Sequence, residues 1–248
     1  MRNSDILGAD DSKRTYEQDQ KTALFLALSV LVTLILYYVP YGRFLGYPLV
    51  LLSTLVHELG HGIAAMLCGY EFIEFQMFSD GSGFAATEGR KGRLATAFVS
   101  AGGLIGPAIV AALFFRMGRN PRHARIALYG FAFSLIVALI FVVRNFFGVV
   151  FVGSTAALCV SVAHAGRGKP WLAHAFLLFL ACQLSLAVFS RADYLFTATA
   201  RTAEGVHPSD VQKMADALFL PYWVWGALCG LISVIVVFRG LRSSLNRL

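Results

Sequence analysis

A chain of 248 residues that is 57% hydrophobic and only 14% charged lies far from the composition of water-soluble domains, in which about a quarter of the residues are charged. The formal charge of +7 would suit nucleic acid, but no nucleic-acid motif accompanies it, and in an apolar chain basic residues gather at lipid headgroups. A soluble enzyme and a nucleic-acid module are thereby excluded, and the fold class expected is an all-α, multi-pass integral membrane protein.

Residues 1 to 21 are polar and mixed in charge, which predicts a flexible tail ahead of a single membrane-embedded domain over 22–248. The tail is rich in acids and no small-residue cleavage site follows it promptly, unlike a cleaved signal peptide. The first span is Thr22 to Val39, closed by Pro40-Tyr41-Gly42-Arg43, with Tyr37, Tyr38 and Tyr41 placed for an interfacial aromatic belt. The second, about Phe44 to Cys68, carries His57-Glu58-Leu59-Gly60-His61 in its second half. Residues four apart share a helix face, so two imidazoles aim at one point with a carboxylate beside the first. That is the H-E-x-x-H pattern of zinc hydrolases: His57 and His61 would hold Zn²⁺, and Glu58 would serve as general base toward water. Two histidines bonded to neighbouring helices would be the plain alternative, but ionisable groups in hydrocarbon are costly and functional by default.

From about 70 to 90, Phe72, Phe75 and Phe78 alternate with polar residues and lead into Asp80-Gly81-Ser82-Gly83, predicting a small β-hairpin with Asp80 in its turn. Such a hairpin could pair with an extended substrate, or be an ordinary amphipathic connector. Further spans follow at Leu94 to Phe115, with a Gly-Pro cluster at Ser100 to Pro107, then Ile126 to Val143, Phe146 to His164, Trp171 to Ser190 and Leu218 to Phe238. The four cysteines, Cys68, Cys159, Cys182 and Cys229, fall in apolar runs without metal-clip spacing and read as packed thiols. His123, His164 and His174 have no second ligand at helical spacing and read as interfacial or interhelical groups. With about seven spans, the hairpin, Arg144-Asn145 and the polar stretch 191–217 share the face near which the two histidines lie. The 21 basic residues divide 11 to 10 between that face and the other, so charge does not orient the chain.

A catalytic zinc needs a third protein ligand. Asp193 follows the sixth span directly. Asp210 enters the helix that leads to the last span, where Ser209 also reads as an N-cap and Asp210 as a charge favouring the positive helix end. On the residues alone these two stand level, with His207 behind them. The zinc motif inside a span, the Gly-rich hairpin and the Ser100–Pro107 span together resemble the site-2 protease group of intramembrane zinc metalloproteases, and more closely its compact bacterial branch. In that branch a Ser-Asp segment, then a Pro and a Trp, precede the last span; Ser209-Asp210, Pro221 and Trp223 to Trp225 match that order, and the resemblance as a whole runs from about residue 50 to 235. Well-known members carry the third ligand in a Leu-Asp-Gly tripeptide, which this chain lacks. The resemblance implies Asp210 as the third ligand, with Asp193 the alternative, and Asn145 as a substrate-positioning residue. It implies a zinc-dependent endopeptidase acting on membrane proteins or peptides in a bacterial cell membrane, with the metal-bearing face cytosolic. The other function class consistent with the residues is a non-proteolytic, metal-binding scaffold.

Overall fold

The computed structural model describes residues 3–89, 92–190, 194–202 and 205–245. Helix α1 (Asn3–Tyr38) is followed by α2 (Gly42–Leu67), then strands β1 (Glu71–Met77) and β2 (Gly83–Glu88). Helices α3 (Arg93–Met117), α4 (Pro121–Phe141), α5 (Phe146–Ala165) and α6 (Pro170–Ser190) come next. A single 3-10 turn at Tyr194–Phe196, strands β3 (Thr199–Thr202) and β4 (Gly205–Pro208), and helices α7 (Asp210–Leu218) and α8 (Tyr222–Leu245) complete the order. Six of these helices are long and apolar enough to cross a membrane, and Gln20–Leu36 of α1 is a shorter apolar stretch. The protein is thus an all-α multi-pass membrane protein with two small antiparallel hairpins.

In the apolar windows of α4, α5 and α8 only 28% of residues are buried. Phe133, Ile140, Val150 and Leu231 therefore point outward, an arrangement that water would penalise and lipid does not. Helix α3 is the hub and packs against α2, α6, α7 and α8. Where hydrophobicity gives no preference between lipid and protein, polar contacts fix neighbours. Between α1 and α6, Gln183 Nε2 donates to Thr33 Oγ1 at 2.6 Å, and Thr22 Oγ1 lies 3.4 Å from His174 Nε2. Helix α1 also takes in residues 3–21, where composition had suggested a flexible tail.

The β1–β2 hairpin begins at the end of α2 near the two histidines, as its position in sequence suggested. It folds back along α2 into the depth of the spans. Thr54 Oγ1 donates to Gly81 O at 2.7 Å and Tyr47 OH to Ser79 O at 2.7 Å, so the turn rests on the N-terminal half of α2. Non-helical backbone is tolerated there only when protein or a polar cavity satisfies it. On one side β1 is held by protein: Phe75 N donates to Val142 O at 2.7 Å and Arg144 N to Phe75 O at 3.1 Å. Phe75 and Met77 are wholly buried, and Asp80 Oδ1 closes the turn by accepting from Ser82 N and Oγ at 2.8 and 2.6 Å.

The last span starts at Tyr222, not Leu218. Helix α7 stops at Phe219, which takes a left-handed backbone (φ 68°) that side chains rarely adopt. Pro221, with no N–H to offer, then separates it from α8. Arg93 anchors this break: its Nε donates to Ala217 O at 2.6 Å and its guanidinium lies 3.7 Å over the Phe219 ring.

Candidate metal centre

Two turns of α2 set the site. His57 and His61 stand four residues apart with their rings edge-on at 4.7 Å. His61 Nδ1 lies 2.8 Å from Val99 O on α3, the backbone partner that typically fixes a ligating ring with its other nitrogen aimed inward. The ring fits only because Gly103 has no side chain: a Cβ there would lie 2.3 Å from His61 Nε2. Small residues on α3 therefore serve the site as well as helix packing.

Helix α7 brings the third group. Val211 and Met214 are buried against Ala97 and Leu104 of α3 and Cys229 of α8, which seats the helix. Its start is fixed by Ser209, whose Oγ accepts from Gln212 N at 3.2 Å and donates to Thr197 O at 2.6 Å. Asp210 then points inward. His57 Nε2 and His61 Nε2 are 3.1 Å apart, and Asp210 Oδ2 lies 3.1 Å from the first and 3.2 Å from the second. A tetrahedral ion with bonds of roughly 2.0–2.1 Å has ligand–ligand edges of about 3.3 Å, so two imidazole nitrogens and one carboxylate oxygen at these distances fit a zinc-type donor set. Among the described residues, these are the only three that form such a group.

Lys213 and Tyr194 complete the surroundings of Asp210. Lys213 Nζ lies 3.2 Å from Oδ1, and Tyr194 OH donates to Oδ2 at 3.3 Å. Burial alone would push the Asp210 carboxyl up; the facing His61, the bonds from both histidines and Lys213 hold it well below the usual carboxylate range. Burial, then the charges of Asp210 and Glu58, push the Tyr194 phenol up, so it stays a donor.

The triad opens on a cavity of about 480 Å³. Glu58 lines it, only 9% exposed, beneath Gly83, where a Cβ would come within 2.7 Å of the Glu58 Cγ. The whole run Gly83–Thr87 of β2 borders the cavity, and among the described residues β2 pairs only with β1. Ala200 and His207 of the second hairpin face it from the other side. His207 is thus at the cavity but outside the three-residue group. Asp193 lies outside the described residues.

This geometry agrees with the one sequence comparison that finds a relative. The family model described as Peptidase M50B-like matches residues 25–240. The chain belongs to the Peptidase M50B-like family. That places it in the site-2 protease group, and the match runs from within the first apolar stretch to within α8. No curated protein and no solved structure matches it.

Asn145 lies elsewhere in this M50B-like chain. Its Oδ1 accepts from Met77 N and from Gly148 N, each at 3.2 Å, and its Nδ2 donates to Met77 O. It clasps β1 and caps α5, and it is not among the residues lining the cavity. Sequence reasoning missed Tyr194, Lys213 and the second hairpin. Lys213 had a local signal, standing three residues after Asp210 on one helix face; Tyr194 had none.

Proposed function

We propose that this M50B-like protein is a zinc-dependent intramembrane endopeptidase that hydrolyses peptide bonds of membrane-associated substrates. The observation that carries the reading is the convergence of His57 Nε2, His61 Nε2 and Asp210 Oδ2 at 3.1–3.2 Å on the cavity that Glu58 and the edge of β2 also face. His57, His61 and Asp210 would hold the ion. When bound, zinc supplies acidity to a water and polarises a carbonyl.

The remaining work belongs to the chain. Glu58 takes the proton released by the attacking water and passes it to the leaving amine. Tyr194 and Lys213 fix the two oxygens of Asp210, and the Lys213 charge helps keep the carboxylate ionised. A transmembrane helix is a poor substrate because its backbone is already hydrogen-bonded, so substrates unwind locally and lay an extended strand along β2. The packing of Gly83 onto Glu58 brings that strand's path close to the proton acceptor.

A metal-binding scaffold would need the same three ligands but has no use for a base at position 58. Glu58→Gln separates the two. Cleavage of a membrane-tethered substrate should fall by about 10²–10⁴ while bound zinc stays at the wild-type level. Cleavage at the wild-type rate would remove Glu58 from the mechanism, and no cleavage by the wild-type protein would favour the scaffold.

A further inference from the structure

At the end of the bundle away from the metal centre, the charged residues of the turns are all cations. Between Glu88 and Asp193 the sequence contains no aspartate or glutamate, and after Asp216 there is none to the C-terminus. The turn from α3 to α4 nevertheless carries Arg116, Arg119, Arg122 and Arg125, and the turn from α5 to α6 carries Arg167 and Lys169. The ion pairs of Asp210 with His57, His61 and Lys213 lie at the opposite end. Among the described residues no carboxylate pairs with these charges.

The two turns meet. The Arg125 stem lies against the α5–α6 turn, where a Cβ on Gly166 would be 3.3 Å from Arg125 Cδ. Arg125 Nε is cut off from solvent and has no hydrogen-bond partner. A buried guanidinium nitrogen left unpaired is costly, and its planar fork suits phosphate oxygens. Arg122 stands one turn earlier on α4 and is exposed, as are Arg167 and Lys169 across the gap. Helices α4 and α6 both begin here, so their positive ends add to the field. Depth decides the source of the anion. Trp171, 55% exposed beside Lys169, and Ile126, 53% exposed beside Arg125, mark the level where indole and apolar groups meet lipid headgroups.

We propose that the α3–α4 and α5–α6 turns form a binding site for the phosphate of an anionic phospholipid, with Arg125 gripping from within and Arg122, Arg167 and Lys169 from the rim. The site is independent of the proteolytic reading and lies at the other end of the molecule.

The test measures lipid binding to the full-length protein in detergent by native mass spectrometry. The probes are phosphatidylglycerol, phosphatidylcholine and inorganic phosphate. Arg125 is packed, so its loss could unsettle the turn; the exposed pair is changed instead, as Arg167→Gln with Lys169→Gln. Juxtamembrane cations contribute about fivefold each to anionic-lipid affinity, so the double variant should bind phosphatidylglycerol roughly 25-fold more weakly. Its binding of phosphatidylcholine and its elution on gel filtration should not change. Equal affinity of the wild-type protein for the two lipids would overturn the proposal, as would undiminished phosphatidylglycerol binding by the double variant. Displacement of the lipid by an equal concentration of inorganic phosphate would assign the site to a free anion and overturn the lipid.

Discussion

At the scale of single residues, Asp210 answers two demands at once. It is the first residue of α7 after the Ser209 cap, where a carboxylate favours the positive helix end. It also stands 3.1–3.2 Å from two imidazole nitrogens. The first role could be read from the order Ser-Asp; for the second the residues alone left Asp210 level with Asp193, and only the family resemblance favoured it, because the placement depends on α7 docking onto α3 more than a hundred residues away in sequence. The two roles separate on metal content. Asp210→Asn keeps the shape and the capping geometry, and a lost favourable charge at a helix start costs only about 0.3–1 kcal/mol. As a ligand, however, the carboxylate neutralises part of the ion's charge, so its loss should weaken zinc retention as well as cleavage. The expected outcome is a folded variant, eluting as the wild type does, with bound zinc strongly reduced. Full zinc in Asp210→Asn would return the third ligand to Asp193.

At the scale of elements, the first hairpin and the second were unequally legible. Residues 70–83 alternate Phe with polar groups and end in a Gly-rich turn, and the strands Glu71–Met77 and Gly83–Glu88 follow that pattern. Strands β3 and β4 are four residues each, and Pro208 closes the second, so no period could announce them. Nor did alternation show that β1–β2 turns back along α2. That placement rests on long-range bonds from Thr54, Tyr47 and Asn145, side chains whose partners no local pattern specifies. Asn145 shows the consequence. The family resemblance suggests substrate positioning, whereas its amide holds the backbone of Met77 at both N–H and C=O. Acting through the hairpin, Asn145→Ala should free β1 from the start of α5, speed amide exchange across residues 71–88, and raise KM with zinc content unchanged. Losing the cap on α5 adds about 0.5–2 kcal/mol of destabilisation. A residue that touched substrate directly would raise KM and leave hairpin exchange as it was.

For the whole molecule, the two ends of the bundle differ in kind although they carry nearly the same number of cations. The 21 lysines and arginines split 11 to 10 by the span order, which leaves the positive-inside rule undecided. The acids do not split in the same way: the turns α3–α4 and α5–α6 at the other end contain none. Acidic residues contribute little to orientation, so this asymmetry does not choose a side either. The family resemblance implies a side, with the metal-bearing end expected to face the cytosol. Labelling with a membrane-impermeant thiol reagent tests the assignment once the half-buried Cys68 is replaced by serine; the other three cysteines are buried. Single cysteines are placed at Glu71, at the start of β1, and at Val206 on β4, both exposed at the metal-bearing end. A third goes at Gly168, exposed in the α5–α6 turn at the other. Glu71 and Val206 should react together in inside-out vesicles and stay silent in intact cells, and Gly168 should do the reverse. The reverse pattern at all three would keep the fold and invert the protein in the membrane. Glu71 and Val206 reacting from opposite sides would break the span order itself, and the joining of α2 and α7 in one metal centre would fail with it.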